Sequence, residues 1–429
     1  MTREVTVTGY GVRTAFGGGA EALRRGVFAG VPAFAPTTRF DTGPYRTAVA
    51  AAAPDGADGG DAVEGWVLRD ALRRCGDEAL DMAGLGAGAE AAVLLGVAGD
   101  HRSVTRYWRG ARDSVPSELS YVGRGSAVAG RAHAAEPQTS QPRVPVGALS
   151  APELNSFADA VPAQLAELLA EGLGLAGTRL AFTNACVASA AAIIHACRLI
   201  SSGRIDVAVC AGGYLVEEET FGKFDSGRAL SRDGMVRPFS ADRSGLLLGD
   251  GVGVVVLESA EHARRRGARP LASVVGWGAA TDAYHIAQPH PQGAGLAAAV
   301  RQALRHAGDP DGTAVGYVNA HGTGTKYNDA AETRGLRDAF PERAESIPVS
   351  STKSTTGHLL EAAGVVEFVI TMLALTDGAL PPTAGFTRPD PECSLDCVPN
   401  RPRAVDLRRA LTINAAFGGA NTALVLERP

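Results

Sequence analysis

The 429-residue chain is 45% hydrophobic and 20% charged, enough apolar content for a substantial core in two or three units of domain size. Its net charge of −5 gives no electrostatic footprint for a nucleic-acid partner, and no apolar run of about 18 residues marks a membrane span. The cysteines (Cys75, Cys186, Cys197, Cys210, Cys393 and Cys397) form no CxxC pair and the histidines no HExxH spacing, so no metal site is expected, and reduced thiols in a cytoplasmic protein are.

From the N-terminus, MTREVTVTGYG lacks the basic-then-apolar pattern of an export signal and reads as a strand. AAVLLGVAG (91–99) is a second strand-like run. Residues 101–150 are rich in Arg, Ser, Pro and Gly and read as a loop-rich insertion, either a cap or dimer contact or a solvated surface loop. TNACVASAAA (183–192) then sets Cys186 where a strand gives way to a helix. Apolar or small residues follow at Ala190, Ile193, Ile194, Cys197 and Ile200, a 3.6-residue period. Gly203 stops that helix and DVAVCAGG reads as a buried strand. In the second half, VNAHGTGTKYND puts His321 at a strand end in a glycine-rich loop. SSTKSTTGHLLEAAG puts Lys353 and His358 on a polar loop entering another helix, with Leu359, Ala362, Ala363, Val366, Ile370 and Leu373 on its face.

Two pairs of segments echo each other: VTVTGYG with ASVVGWG, and GDGVGVVVLE with GGANTALVLE. Glu258 and Glu427 are 169 positions apart (427 − 258), and the same offset carries Cys186 to Thr355 in KSTTGH. Strands alternating with helices imply α/β architecture with parallel sheets covered by helices. The expectation is a duplicated α/β unit, residues 1–259 and 260–429, whose two helix mouths meet near a pseudo-twofold axis. That places Cys186 near the KSTTGH loop.

A cysteine at a helix N-terminus has its thiolate favoured by the dipole and free N–H groups, which suits a nucleophile; a buried small apolar residue is the alternative. His321 reads as a ligand group or a structural turn histidine, with Thr323 and Thr325 offering hydroxyls. His358 beside Lys353 is expected to stay neutral and to donate to developing negative charge, or simply to follow a capped turn. AAFGGAN is a glycine turn whose N–H groups either complete an oxyanion hole or serve the turn alone.

In this order and spacing, NACVAS, VNAHGTGTKYND, STKSTTGHLLEAAG and AFGGAN resemble the β-ketoacyl-acyl-carrier-protein synthases, both the type II elongating enzymes and the polyketide ketosynthases. RPFSADRSGLLLGDGVGVVVLESAEHARRRGA and SVVGWGAATDAYHIAQPHPQG are similar to that family too, and the likeness is weakest over 50–150. The resemblance implies the thiolase fold with a five-layered α-β-α-β-α core, and a homodimer or a heterodimer with a paralogue. It implies that Cys186 is acylated and that His321 and His358 support decarboxylation of a malonyl-type extender. Lys353 would hold the histidine network, with Glu332. The N–H groups of Cys186 and Phe417 would form the oxyanion hole, Phe417 would gate the acyl pocket beside Gly418 and Gly419, and Thr323 and Thr325 would contact a phosphopantetheine arm. No permanent cofactor or metal is implied; the partner is an acyl carrier protein, which the Arg-rich 101–150 segment would face. Departures are Asn184 before the cysteine, Ser240 and Ser244 in the RPF motif, and Ala416, where loss of a glycine would stiffen the gate. They point to a specialised polyketide or acyl pathway. The competing functions are a non-decarboxylating acyltransferase, which the two histidines disfavour; a thiolase, which Phe417 disfavours; and a chain-length-determining subunit, which Cys186 disfavours.

Overall fold

The computed structural model describes residues 3–53, 67–102, 105 and 157–429. Strands rich in Val, Leu and Ala form two arms of one sheet. The first comprises β1 (Val5–Thr14), β2 (Ala92–Gly96), β3 (Arg179–Phe182), β4 (Val207–Tyr214) and β5 (Gly251–Ser259). The second comprises β6 (Ala272–Thr281), β7 (Val315–Asn319), β8 (Val349–Ser350), β9 (Arg409–Ala415) and β10 (Ala420–Glu427). The order across the sheet is β8-β7-β9-β10-β6-β1-β5-β4-β2-β3. Read outward from the centre, both arms follow one plan: β1-β5-β4-β2-β3 and β6-β10-β9-β7-β8. Among the described residues, their strands join where Val5–Val7 pairs with Ala272–Val274.

The expected parallel sheets hold for the outer three strands of each arm alone. β2 is parallel to β3 and β4, and β7 to β8 and β9. The inner pairs are antiparallel. The reason lies in the connections: a parallel pair needs a crossover, and the return from β4 to β5 reverses direction.

Helices cover the sheet in layers. α1 (Leu68–Ala83) and α2 (Pro162–Gly172) pack on one side of the first arm, and α4 (Ala294–His306), with α5 (Lys326–Ala339) against it, on the second. Between the arms lie α3 (Ala188–Ser201) and α6 (Ala363–Asp377), each touching strands of both. This is the five-layered arrangement of the thiolase fold. Ala363 to Leu375 of α6 are all buried, as a helix apolar on every side must be. Gly364 lets α3 and α6 cross closely, since a Cβ there would lie 2.5 Å from Ala190 N. Ser189 accepts the Val365 N–H at 3.0 Å across the same crossing and satisfies one open donor of α6.

The duplication is out of step with the sequence offset. β5 and β10 begin 169 positions apart (420 − 251), but α3 and α6 begin 175 apart (363 − 188). Unequal connections absorb the difference. The positional counterpart of Cys186 is therefore Glu361, not Thr355. The insertion expected at 101–150 lies, apart from residues 101, 102 and 105, outside the described residues.

Candidate active site

Both helix mouths use the same backbone device. A one-turn 3-10 segment, Ala185–Val187, leads into α3, and Leu360–Ala362 leads into α6. Each opens on a non-glycine residue in the left-handed region, Ala185 at φ 52° and Leu360 at φ 45°. Such conformations are unfavourable and persist where surrounding packing imposes them. The first turn presents Cys186, and the two turns pack together.

His358 reaches Cys186 from the loop before α6, with Nε2 3.1 Å from Sγ. Gly357 makes this approach feasible: at φ 71° its missing Cβ would lie 2.9 Å from the Leu248 carbonyl carbon. The Leu360 N–H donates to His358 Nδ1 at 3.3 Å, which leaves the proton of the neutral ring on Nε2, facing the sulfur. The His321 ring stands edge-on to that of His358, centroids 5.2 Å apart. His321 Nδ1 is buried and makes no hydrogen bond. Burial holds both rings well below the usual histidine range, with Lys353 adding to the effect, so both are neutral donors or acceptors.

Two carboxylates steady this pair by separate routes. Glu332 on α5 accepts the N–H groups of His321 and Gly322, each at 2.7 Å, and so fixes the His321 loop. Lys353 is paired instead with Glu367, a buried residue of α6, whose other oxygen accepts from Asn414 Nδ2 at 2.6 Å. Lys353 acts on Glu332 through its charge, and its ion-pair partner, Glu367, was not among the residues expected. Glu332 spends both oxygens on the backbone and on Asn328. Neither Glu367 nor Asn414 was singled out in the sequence, although a lone Glu in AGVVEFVITML carried a signal: a charge on an all-apolar helix needs a partner. Thr323 and Thr325 hydrogen-bond to each other at 2.8 Å, and Asp329 holds the Thr323 N–H at 3.1 Å.

The thiol departs from expectation. Burial pushes Cys186 up to about 12, Glu361 acts in the same direction, and Lys353 opposes. Its place at a helix mouth does not yield a resting thiolate, because desolvation in a closed core outweighs it. Phe417 is 51% exposed and stacks on Phe224 at 5.6 Å. The turn takes its left-handed residues from Gly418 (φ 80°) and Gly419 (φ 78°), whereas Ala416 is extended at φ −137°. Alanine at 416 is therefore unstrained, and the expected stiffening through positive φ does not arise. Asn184 lines a 440 Å³ cavity with Phe182, His195 and Arg198, beside edge strand β3. Ser240 Oγ donates to Asp242 at 2.8 Å, so a neighbouring acid serves that turn. The described residues contain no gathering of three His, Cys, Asp or Glu side chains fit for a metal, and no described helix is long and apolar enough to cross a membrane.

Residues 2–263 match the β-ketoacyl synthase N-terminal domain and residues 271–387 its C-terminal domain. The chain belongs to the β-ketoacyl synthase family. It is 41% identical over 280 residues to 3-oxoacyl-[acyl-carrier-protein] synthase 2 of Vibrio harveyi, covering 62% of this chain and 67% of that protein. Nodulation protein E of Rhizobium meliloti is 40% identical over 281 residues, covering 64% and 68%. Among solved structures, the ishigamide ketosynthase/chain length factor superposes with a TM-score of 0.84 at 30% identity over 100% of both chains. The side chains gathered around Cys186 lie on the two helix mouths and the β7–α5 loop.

Proposed function

We propose that this β-ketoacyl synthase joins a Cys186-bound acyl group to a malonyl-type extender held on an acyl carrier protein, with loss of CO₂. The observation that carries this reading is His358 Nε2 at 3.1 Å from Cys186 Sγ with a second neutral histidine behind it. Cys186 attacks the donor thioester, a new thioester forms, and the donor's thiol leaves with the proton. The sulfur exchange is nearly balanced in energy, so CO₂ loss supplies the drive. The extender's thioester carbonyl then becomes an enolate, whose oxygen receives hydrogen bonds from His321 and His358. Its carbon attacks the acyl carbonyl, Cys186 is released, and a β-ketoacyl chain remains on the carrier. A site without bulk water strengthens the two donors.

Lys353 with Glu367, and Glu332 through the His321 loop, position the histidines. The N–H groups of Cys186 and Phe417 form the oxyanion hole, and Phe417 with the Gly418–Gly419 turn gates the acyl pocket. Thr323 and Thr325 meet the phosphopantetheine arm, the sole cofactor-like group required. The protein acts in the cytoplasm, in polyketide or specialised fatty-acid synthesis. Its partners are the carrier protein and a second ketosynthase-like subunit, identical or paralogous. The outer edge of β3, with Leu180 exposed beside the 440 Å³ cavity, supports such a contact.

The test combines a malonyl-loaded carrier, an acyl donor and mass analysis. A β-keto product with CO₂ release, and an adduct on Cys186 absent from Cys186→Ala, are expected. An ester or amide formed without CO₂ would favour plain acyl transfer instead.

A further inference from the structure

Polar groups that the condensation does not use gather at the second helix mouth and the end of β4, one turn away from the nucleophile. Glu361 occupies the Cys186-equivalent position of the second helix mouth, in a turn packed against both the Cys186 turn and the end of β4. Apart from its own N–H, its side chain has no hydrogen-bond or ion-pair partner among the described residues. Glu217, just beyond β4, accepts from Thr220 Oγ1 at 2.9 Å and from no other side chain among the described residues. Burial pushes its carboxyl up to about 7 and that of Glu361 up as well. Tyr214 ends β4 three residues before Glu217; it is 6% exposed and its hydroxyl makes no hydrogen bond. The Glu217 N–H leans toward that hydroxyl without bonding geometry, and both carboxyl groups act on it electrostatically.

The neighbouring cations are already matched. Arg102 pairs with Asp100 at 2.6 Å, Lys223 with Glu219 at 2.7 Å, and Arg39 with Asp250 at 2.8 Å. His101 lies within electrostatic reach of both Glu217 and Glu361. Lys223 also acts on Glu361 and Arg102 on Glu217, but each of these two is paired with another carboxylate. A plain alkyl chain entering here would desolvate the carboxyl groups and give them nothing in return. An ammonium group has three donors and a positive charge, one for each of the three oxygen-bearing groups.

We propose that the acyl group received by Cys186 bears a basic nitrogen, an amino group remote from the thioester, which Glu361, Glu217 and Tyr214 recognise. This rests on the reading of Cys186 as the acylated residue. It disfavours acyl chains ending in a carboxylate, which would have to lie against two further buried carboxyl groups.

The experiment follows initial rates of Cys186 acylation by intact mass, using N-acetylcysteamine thioesters of 6-aminohexanoate, heptanoate and 6-hydroxyhexanoate. The first two differ only in the terminal group, an ammonium in place of a methyl. The amino donor is expected to exceed heptanoyl by about tenfold or more, the scale of a charge-assisted hydrogen bond. Glu361→Gln and Glu217→Gln are each expected to lower that ratio severalfold. The ratio is read within each protein, so a loss of fold common to both donors cancels. Heptanoyl loading as fast as the amino donor overturns the proposal, and so does 6-hydroxyhexanoyl matching it. An amino preference untouched in both Gln variants overturns it as well. Failure of every donor, carrier-bound acyl groups included, overturns the assignment of Cys186 itself.

Discussion

The mouths of α3 and α6 share one backbone and differ in what they display. Ala185 and Leu360 hold the same left-handed geometry, and the next residue is a thiol in one case and a carboxyl in the other. Six positions decide the rest. The second mouth is preceded by the loop that brings Lys353 and His358 to the first. The comparison teaches that a duplicated scaffold delivers two equivalent stages facing each other. Chemistry arises when one keeps a nucleophile and the other supplies what surrounds it.

The largest expected way to break this pairing is Lys353→Met. It leaves Glu367 buried without its cation, and unfolding in denaturant should show a loss of about 3–5 kcal/mol. Adding Glu367→Leu should recover much of that loss, because an apolar pair replaces a charged one. Next comes Gly364→Ala, which drives a methyl into Ala190 at the α3–α6 crossing. Overpacking there should lower stability by about 1–3 kcal/mol and slow acylation of Cys186 as the mouths separate.

A third test uses pH. His358 stays neutral in the folded chain, while in the unfolded chain it takes a proton below about 6.5. The unfolded state therefore binds more protons as pH falls, and the stability contributed by His358 drains away below that value. Relative to His358→Gln, the wild type should lose about 1.4 kcal/mol per pH unit between 6 and 5. Measuring the difference is necessary, because Glu332, whose carboxyl is pushed up to about 7, contributes with the opposite sign in the same window. The smallest effect sharpens the comparison itself. Glu361→Gln removes a negative charge that opposes the thiolate, so alkylation of Cys186 by iodoacetamide at pH 8 should accelerate a few-fold.

The meeting of Cys186 with the Lys353 and His358 loop was legible in the sequence because strand-end loops and helix mouths announce themselves through glycines, small residues and apolar period. The internal echo then says which ones face each other. Direction and partners were less legible. The antiparallel inner strands are not marked by residue pattern, since buried strands of either direction read as the same apolar run. Glu367 pairs with Lys353 from fourteen positions away across a turn, a contact that no local pattern encodes. The raised thiol reflects how closed the core is, which a helix-mouth argument does not contain. Ala416 misled through analogy: the positive φ values sit two and three residues later, on glycines.

α6 has no face turned to water, and it carries Glu367 in its middle. A segment of that kind has nowhere to rest until both arms have closed over it, so neither arm can be expected to mature alone. The lysine that acts on the histidines finds its carboxylate on α6 itself, fourteen positions along the chain, whereas His358 reaches Cys186 from the other half. The thiol and the imidazole therefore meet only where the two halves are packed together, so the site is a property of the joined fold and of neither half.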